Sequence, residues 1–170
     1  MKMELVSKND PALKKVCHRF DFDQEDPNFL FEQLRDTMCE NKGVGLAAPQ
    51  IGVLRNVFVV GNPNDPDKVI PFFNPIIIDE FGEEVYYDEG CLSFPGLWIK
   101  IKRKQGVRIR FTNLNGETDT MKFDGLTARI IQHEYDHLYG VLFTKRANLY
   151  HLEQAKKNQK KLLRKIANAS

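Results

Sequence analysis

The chain has only four histidines, and two of them flank an acid in His133-Glu134-Tyr135-Asp136-His137. If this stretch is helical, residues four apart share one face, so both imidazoles can converge on one metal ion with Glu134 beside them. That arrangement suits a hydrolase in which a metal activates water and a carboxylate moves its proton. A catalytic site of this type takes three protein ligands and leaves a position open. No later histidine follows in Leu138-Tyr139-Gly140-Val141-Leu142-Phe143, and Glu153 falls in a different predicted helix. Cys91, in Glu89-Gly90-Cys91-Leu92-Ser93-Phe94-Pro95-Gly96, is the better third ligand, because a thiolate binds Zn(II) or Fe(II) strongly and Gly90 lets the backbone come close. Cys17 and Cys39 read as small buried side chains.

Two other readings use the same residues. A metalloprotease built on the His-Glu-x-x-His pair alone would not need Cys91. A structural zinc module would recruit Cys17 or Cys39 as a fourth ligand and close the site. A further unusual segment, Gly43-Val44-Gly45-Leu46-Ala47-Ala48-Pro49-Gln50-Ile51-Gly52, has small residues that permit close backbone approach and a neutral amide donor in Gln50. It lacks the glycine pattern and lysine of a phosphate-binding loop.

The elements that must position these groups follow from periodicity. Apolar Leu30, Phe31, Leu34 and Met38, with Pro27 in front and Gly43 beyond, predict an amphipathic helix over 27 to 41. The β-rich runs Val57–Val60, Phe72-Phe73, Ile76–Ile78 and Val107–Phe111 predict strands, cut by turns at Asn62-Pro63, Asn74-Pro75, Phe81-Gly82 and Asn115-Gly116. The last of these predicts a hairpin into Thr118–Phe123. Leu126, Ile130, Ile131 and Leu138 predict a helix over 125 to 139, with Asp124 placed to cap it and Gly140 to end it. Leu152, Ala155, Leu162, Leu163 and Ile166 predict an amphipathic helix over 147 to 167. The expected fold is α+β: an antiparallel or mixed sheet packed around a central metal-binding helix, with an N-terminal helix and a C-terminal amphipathic one.

Composition sets the frame. A chain of 170 residues is expected to form one domain, 1–170. It contains no apolar run long enough for a bilayer, and its opening residues form no secretory or transit segment, so a cytoplasmic location is expected. Three cysteines without short-range pairing fit a reducing compartment. Net charge is +2, but residues 151 to 170 hold Lys156, Lys157, Lys160, Lys161, Arg164 and Lys165 against the single acid Glu153. So local an excess points to a docking element and not to a generally basic nucleic-acid binder.

In combination and in this order, GVGLAAPQIG at 43 to 52, EGCLS at 89 to 93 and QHEYDH at 132 to 137 resemble the three signature motifs of the peptide deformylases. The resemblance implies Cys91, His133 and His137 as metal ligands, Glu134 as the catalytic acid/base, and Gln50 with the Leu92 N–H as the pair that stabilises developing negative charge. It implies that the Gly45 backbone lines the substrate cleft. The family removes the formyl group from the N-terminal formyl-methionine of nascent chains, with one divalent ion, usually Fe(II), although Zn(II), Ni(II) or Co(II) can replace it. Methionine would need an apolar slot, for which Ile130, Phe94 and Trp98 are the candidates. Asp136 and Arg103 are read either as an ion pair that holds the metal helix against the sheet or as surface charges. The basic tail is expected either to solubilise the chain or, as in related deformylases, to dock on the ribosome. A monomer without membrane contact is expected.

Overall fold

The computed structural model describes residues 1–169. Five strands form a sheet in which each pairs with the next in sequence and all pairings are antiparallel: β1 (Gly45–Ala47), β2 (Val57–Val60), β3 (Ile70–Cys91), β4 (Phe94–Thr112) and β5 (Thr118–Asp124). Alternation along β2 builds a core on each face of the sheet. Val57 and Val59 point to one side, where Leu30, Leu34 and Met38 of α1 (Pro27–Glu40) cover them. Phe58 and Val60 point to the other, where Ala128, Ile131 and Leu138 of α2 (Gly125–Leu138) meet them. β4 carries two such stretches in turn. Val107, Ile109 and Phe111 join the α2 core, while Leu97, Ile99 and Ile101 pack on Leu152 and Ala155 of α3 (Leu149–Ala169). Among the described residues no helix is long and apolar enough to cross a membrane.

Local chemistry explains where the elements begin and end. Asp26 caps α1 by accepting from Asn28 N at 2.9 Å, and Asp10 does the same for the short helix after it through Ala12 N, also at 2.9 Å. Gly140 ends α2 at φ 70°, where a Cβ would lie 2.5 Å from the Lys14 carbonyl oxygen. Asp124 occupies the cap position of α2 but makes no side-chain cap bond, because it is still the last rung of β5, opposite Gly106.

Two expected turns are not turns. Asn74-Pro75 and Phe81-Gly82 lie inside β3, which runs unbroken for 22 residues and absorbs them as register shifts between Phe73 and Ile76 and between Phe81 and Glu84. Asn74 takes φ 48° and pairs its side chain with the Phe20 backbone, accepting from its N–H at 2.7 Å and donating to its carbonyl at 3.0 Å. The short strand β1, inside the segment Gly43 to Gly52, is a further element the periodicity does not reveal.

Candidate active site

α2 buries one apolar stripe in the sheet and turns the adjoining face, Ile130, His133, Glu134 and His137, toward β1 and the end of β3. His133, Glu134 and His137 are all buried. Gly45 of β1 makes the close approach possible: a Cβ there would sit 2.8 Å from both Glu134 Oε1 and Ile130 Cγ2. Cys91 ends β3 and faces Phe94 across the tight connection Leu92-Ser93. Its Sγ is 3.5 Å from His137 Nε2, and one ligand atom from each of Cys91, His133 and His137 lies within 4.8 Å of the others.

Behind these three groups runs a buried charge network. Glu89, two residues before Cys91 on the same strand, holds His133 Nδ1 at 3.0 Å through one oxygen. It accepts from Arg103 Nε at 2.6 Å and Arg129 Nη1 at 2.7 Å through the other. Arg103 also reaches Asp136 at 3.0 Å, the ion pair of the two sequence readings, and Arg146 brackets Asp136 at 2.8 and 3.0 Å. Glu89 at Nδ1 orients the His133 ring and leaves Nε2 for the site. Burial opposes the Glu89 charge, but hydrogen bonds from His133 and Arg103 and their charges outweigh it and hold the carboxyl down at about 2.

The other titrations follow from the same surroundings. Burial opposes the His133 charge, yet hydrogen bonds to Cys91 and Glu89 and the charges of Cys91 and Glu134 carry it up to about 10. That proton is one a metal ion would displace. Burial, then the charges of His133 and Arg103, keep His137 well below the ordinary histidine range. Burial pushes the Glu134 carboxyl up to about 7. Glu134 Oε2 and His137 Nδ1 are buried without a hydrogen-bond partner. Such atoms cost about 1–3 kcal/mol each unless something fills the space between them and their neighbours. Two imidazoles and a thiolate converging beside an unpaired carboxylate oxygen therefore fit a divalent cation.

The site opens into a cleft of about 640 Å³ lined by Gly45, Cys91, Leu92, Phe94, Trp98, Ile130, His133 and Glu134 among others. Every site residue expected from sequence lines it except His137 and Gln50, which are deeper. Gln50 is 1% exposed; its Oε1 accepts from Ala47 N at 2.9 Å and its Nε2 donates to Ser93 Oγ at 3.0 Å, with Cys91 Sγ 3.5 Å away. Cys17 and Cys39 join neither ligand group. They pack in or against the two sheet cores, and Cys91, His133 and His137 form the one metal-competent cluster among the described residues, so neither cysteine stands as the fourth ligand that a closed zinc site would need. Sequence reasoning missed Arg129, Arg146 and Ser93, and gave Glu89 no role. The available signals were spacing: Arg129 lies four residues before His133 on α2, and Glu89 two before Cys91 on β3.

Residues 2–153 match the family model described as polypeptide deformylase. The chain belongs to the polypeptide deformylase family. A peptide deformylase of Cytophaga hutchinsonii is 41% identical over 144 residues, covering 82% of this chain and 78% of that protein. Peptide deformylase 1 of Bacillus anthracis is 41% identical over 152 residues, 89% of this chain and 96% of its own. Among solved deformylase structures, that from Legionella pneumophila superposes with a TM-score of 0.86 at 31% identity, covering 98% of both chains. That from Synechococcus elongatus, in complex with actinonin, gives 0.85 at 32%, covering 92% of this chain and 85% of the other.

Proposed function

We propose that the chain hydrolyses the N-formyl group of formyl-methionyl nascent polypeptides, and that Cys91, His133 and His137 hold the divalent ion the reaction needs. The observation that carries this reading is the convergence of those three donors with Glu134 at the floor of a peptide-sized cleft. A bound ion would supply a Lewis acid that acidifies water and polarises the formyl carbonyl. Fe(II) is the ion the family resemblance implies, and Zn(II), Ni(II) or Co(II) suit the same donors.

The protein's own groups do the rest. Glu134, desolvated and titrating near neutrality, accepts the proton of the attacking water and returns it to the departing amine nitrogen as the C–N bond breaks. Formate and a free N-terminus result. The Leu92 N–H donates to the oxygen on which negative charge builds. Gln50 joins it by giving up its long contact to Cys91 Sγ while Ser93 keeps its amide oriented. Ile130, Phe94 and Trp98 line the methionine slot, and the Gly45 backbone pairs with the peptide. α2 is then the central metal-binding helix, and residues 1–170 act as one cytoplasmic catalytic unit and as a monomer, with 147–167 as its basic helix. The exposed cations of that helix dock on ribosomal RNA, beside the substrate's point of exit.

The test is formate release from a formyl-methionyl tripeptide by protein loaded with Fe(II) without oxygen. Release is expected, and Glu134→Gln is expected to lower it at least about a hundredfold while the metal stays bound. A folded, metal-loaded protein that releases no formate overturns the reading.

A further inference from the structure

The cleft does not end at Trp98. Beyond that residue a second groove of about 480 Å³ lies between the β3–β4 hairpin and α3. Asp88, Gly96 and Trp98 belong to both spaces, and Tyr150, His151 and Asn158 wall the second from the helix side. Its walls are fastened together. Gln159 Nε2 donates to the Pro95 carbonyl at 3.0 Å, and Leu152 and Ala155 pack in a common core with Leu97 and Ile99. The Trp98 indole rests on the backbone of Gly90, where a Cβ would lie 2.7 Å from the ring, yet the residue is 62% exposed. The His151 ring stands edge-on to Tyr86 at 5.2 Å and to Tyr150 at 5.5 Å.

We propose that this second groove binds the downstream part of the formylated polypeptide, beyond the residues held in the cleft, so that α3 is a specificity element of the enzyme. The proposal rests on the deformylase reading above. The substrate itself names the occupant: a nascent chain continues past its formylated residue and must leave the cleft across its rim. At Trp98 that rim passes into a groove that sets the rings of Trp98, Tyr150 and His151 beside the polar side chains of Asp88, Lys100, Gln154 and Asn158, a surface suited to an extended chain carrying apolar side chains and unpaired backbone amides.

The experiment compares formyl-methionyl tripeptide, hexapeptide and nonapeptide substrates, each added residue extending the chain by about 3.3 Å. For the unaltered protein, KM is expected to fall at least about fivefold from the tripeptide to the longer substrates. Tyr150→Ala with His151→Ala is expected to abolish that gain and leave tripeptide turnover unchanged. Asn158→Trp, which fills the groove from an exposed position without removing its aromatic packing, should do the same. Trp98 is the only tryptophan, so its fluorescence gives a second readout: deformylated nonapeptide should perturb it at lower concentration than deformylated tripeptide, and no longer do so in Asn158→Trp after subtraction of the added indole. Equal KM at all lengths, or a length gain that survives both variants, overturns the proposal. Failure to turn over any formyl peptide would sink the reading of the site instead, while the fluorescence titration would still decide the groove.

Discussion

Glu89 carries more of the site than its place in the sequence suggests. One carboxylate orients His133, neutralises two buried arginines and, through Arg103, reaches the Asp136 that Arg146 also grips. Its carboxyl is held at about 2 against an ordinary 4.5, so it contributes stability in full above pH 4.5 and loses it as the pH falls toward 2. In Glu89→Gln that contribution is gone at neutral pH, Arg129 loses its buried carboxylate and Arg103 keeps only Asp136, an expected cost of about 3 kcal/mol or more. Urea unfolding from pH 7 to 2 should show a lower plateau and a flatter acid limb, and a metal-competition assay a loss of about 10- to 100-fold in affinity. An unchanged acid limb would mean that Glu89 is not the stabilising carboxylate. His133, Glu134 and His137 were legible in the sequence because they lie within one turn or so of a helix, where spacing alone fixes a face. Cys91 needed an argument from the missing third ligand. Arg129 and Arg146 were not legible, because an arginine gains meaning only from the carboxylate it meets, and those partners are 40 and 10 residues away.

At the scale of elements, the three helices could be read from period and punctuation, and the two long strands could not. β3 contains residues that usually stop a strand, and it survives because Asn74 and Gly82 accept left-handed backbone at bulges that a 19-residue partner spans. The end of α2 is held more tightly than its sequence shows. Cys17 N donates to the Leu138 carbonyl at 2.8 Å, and Gly140 lies against the Lys14 backbone. Gly140→Ala therefore meets both a positive φ and a carbonyl oxygen at 2.5 Å, and should cost more than about 1 kcal/mol, read as a lower urea midpoint. The proposed docking role of α3 shares one helix with a packing role. Its inner residues Leu152 and Ala155 pack near Cys91 and Phe94, so removing residues 151 to 170 would damage the site as well as the charge. Replacing Lys156, Lys157, Lys160, Lys161, Arg164 and Lys165 by glutamine separates the two. Ribosome co-sedimentation at low salt should be lost with tripeptide hydrolysis intact, and co-sedimentation that persists would remove the docking role.

Across the whole molecule, the three donors come from two elements far apart in the chain, the β3–β4 hairpin and α2. An ion bound there would fasten one to the other. Chelation should therefore lower the thermal midpoint and reloading restore it; occupancy at a hundred times the dissociation constant corresponds to about 2.7 kcal/mol. A midpoint indifferent to chelator would show that the three donors do not share an ion.

The order of the strands has a consequence for how such a protein is made. Every strand lies beside the one synthesised just before it, so no strand has to wait for a later segment to find its neighbour. The sheet can assemble in the direction of translation, with Cys91 already stationed at the tip of a hairpin. Both histidines emerge afterwards on α2. Any ion shared by these three donors must therefore wait for α2, and a truncated product ending before residue 133 would hold Cys91 without either histidine and with one face of its sheet left partly uncovered.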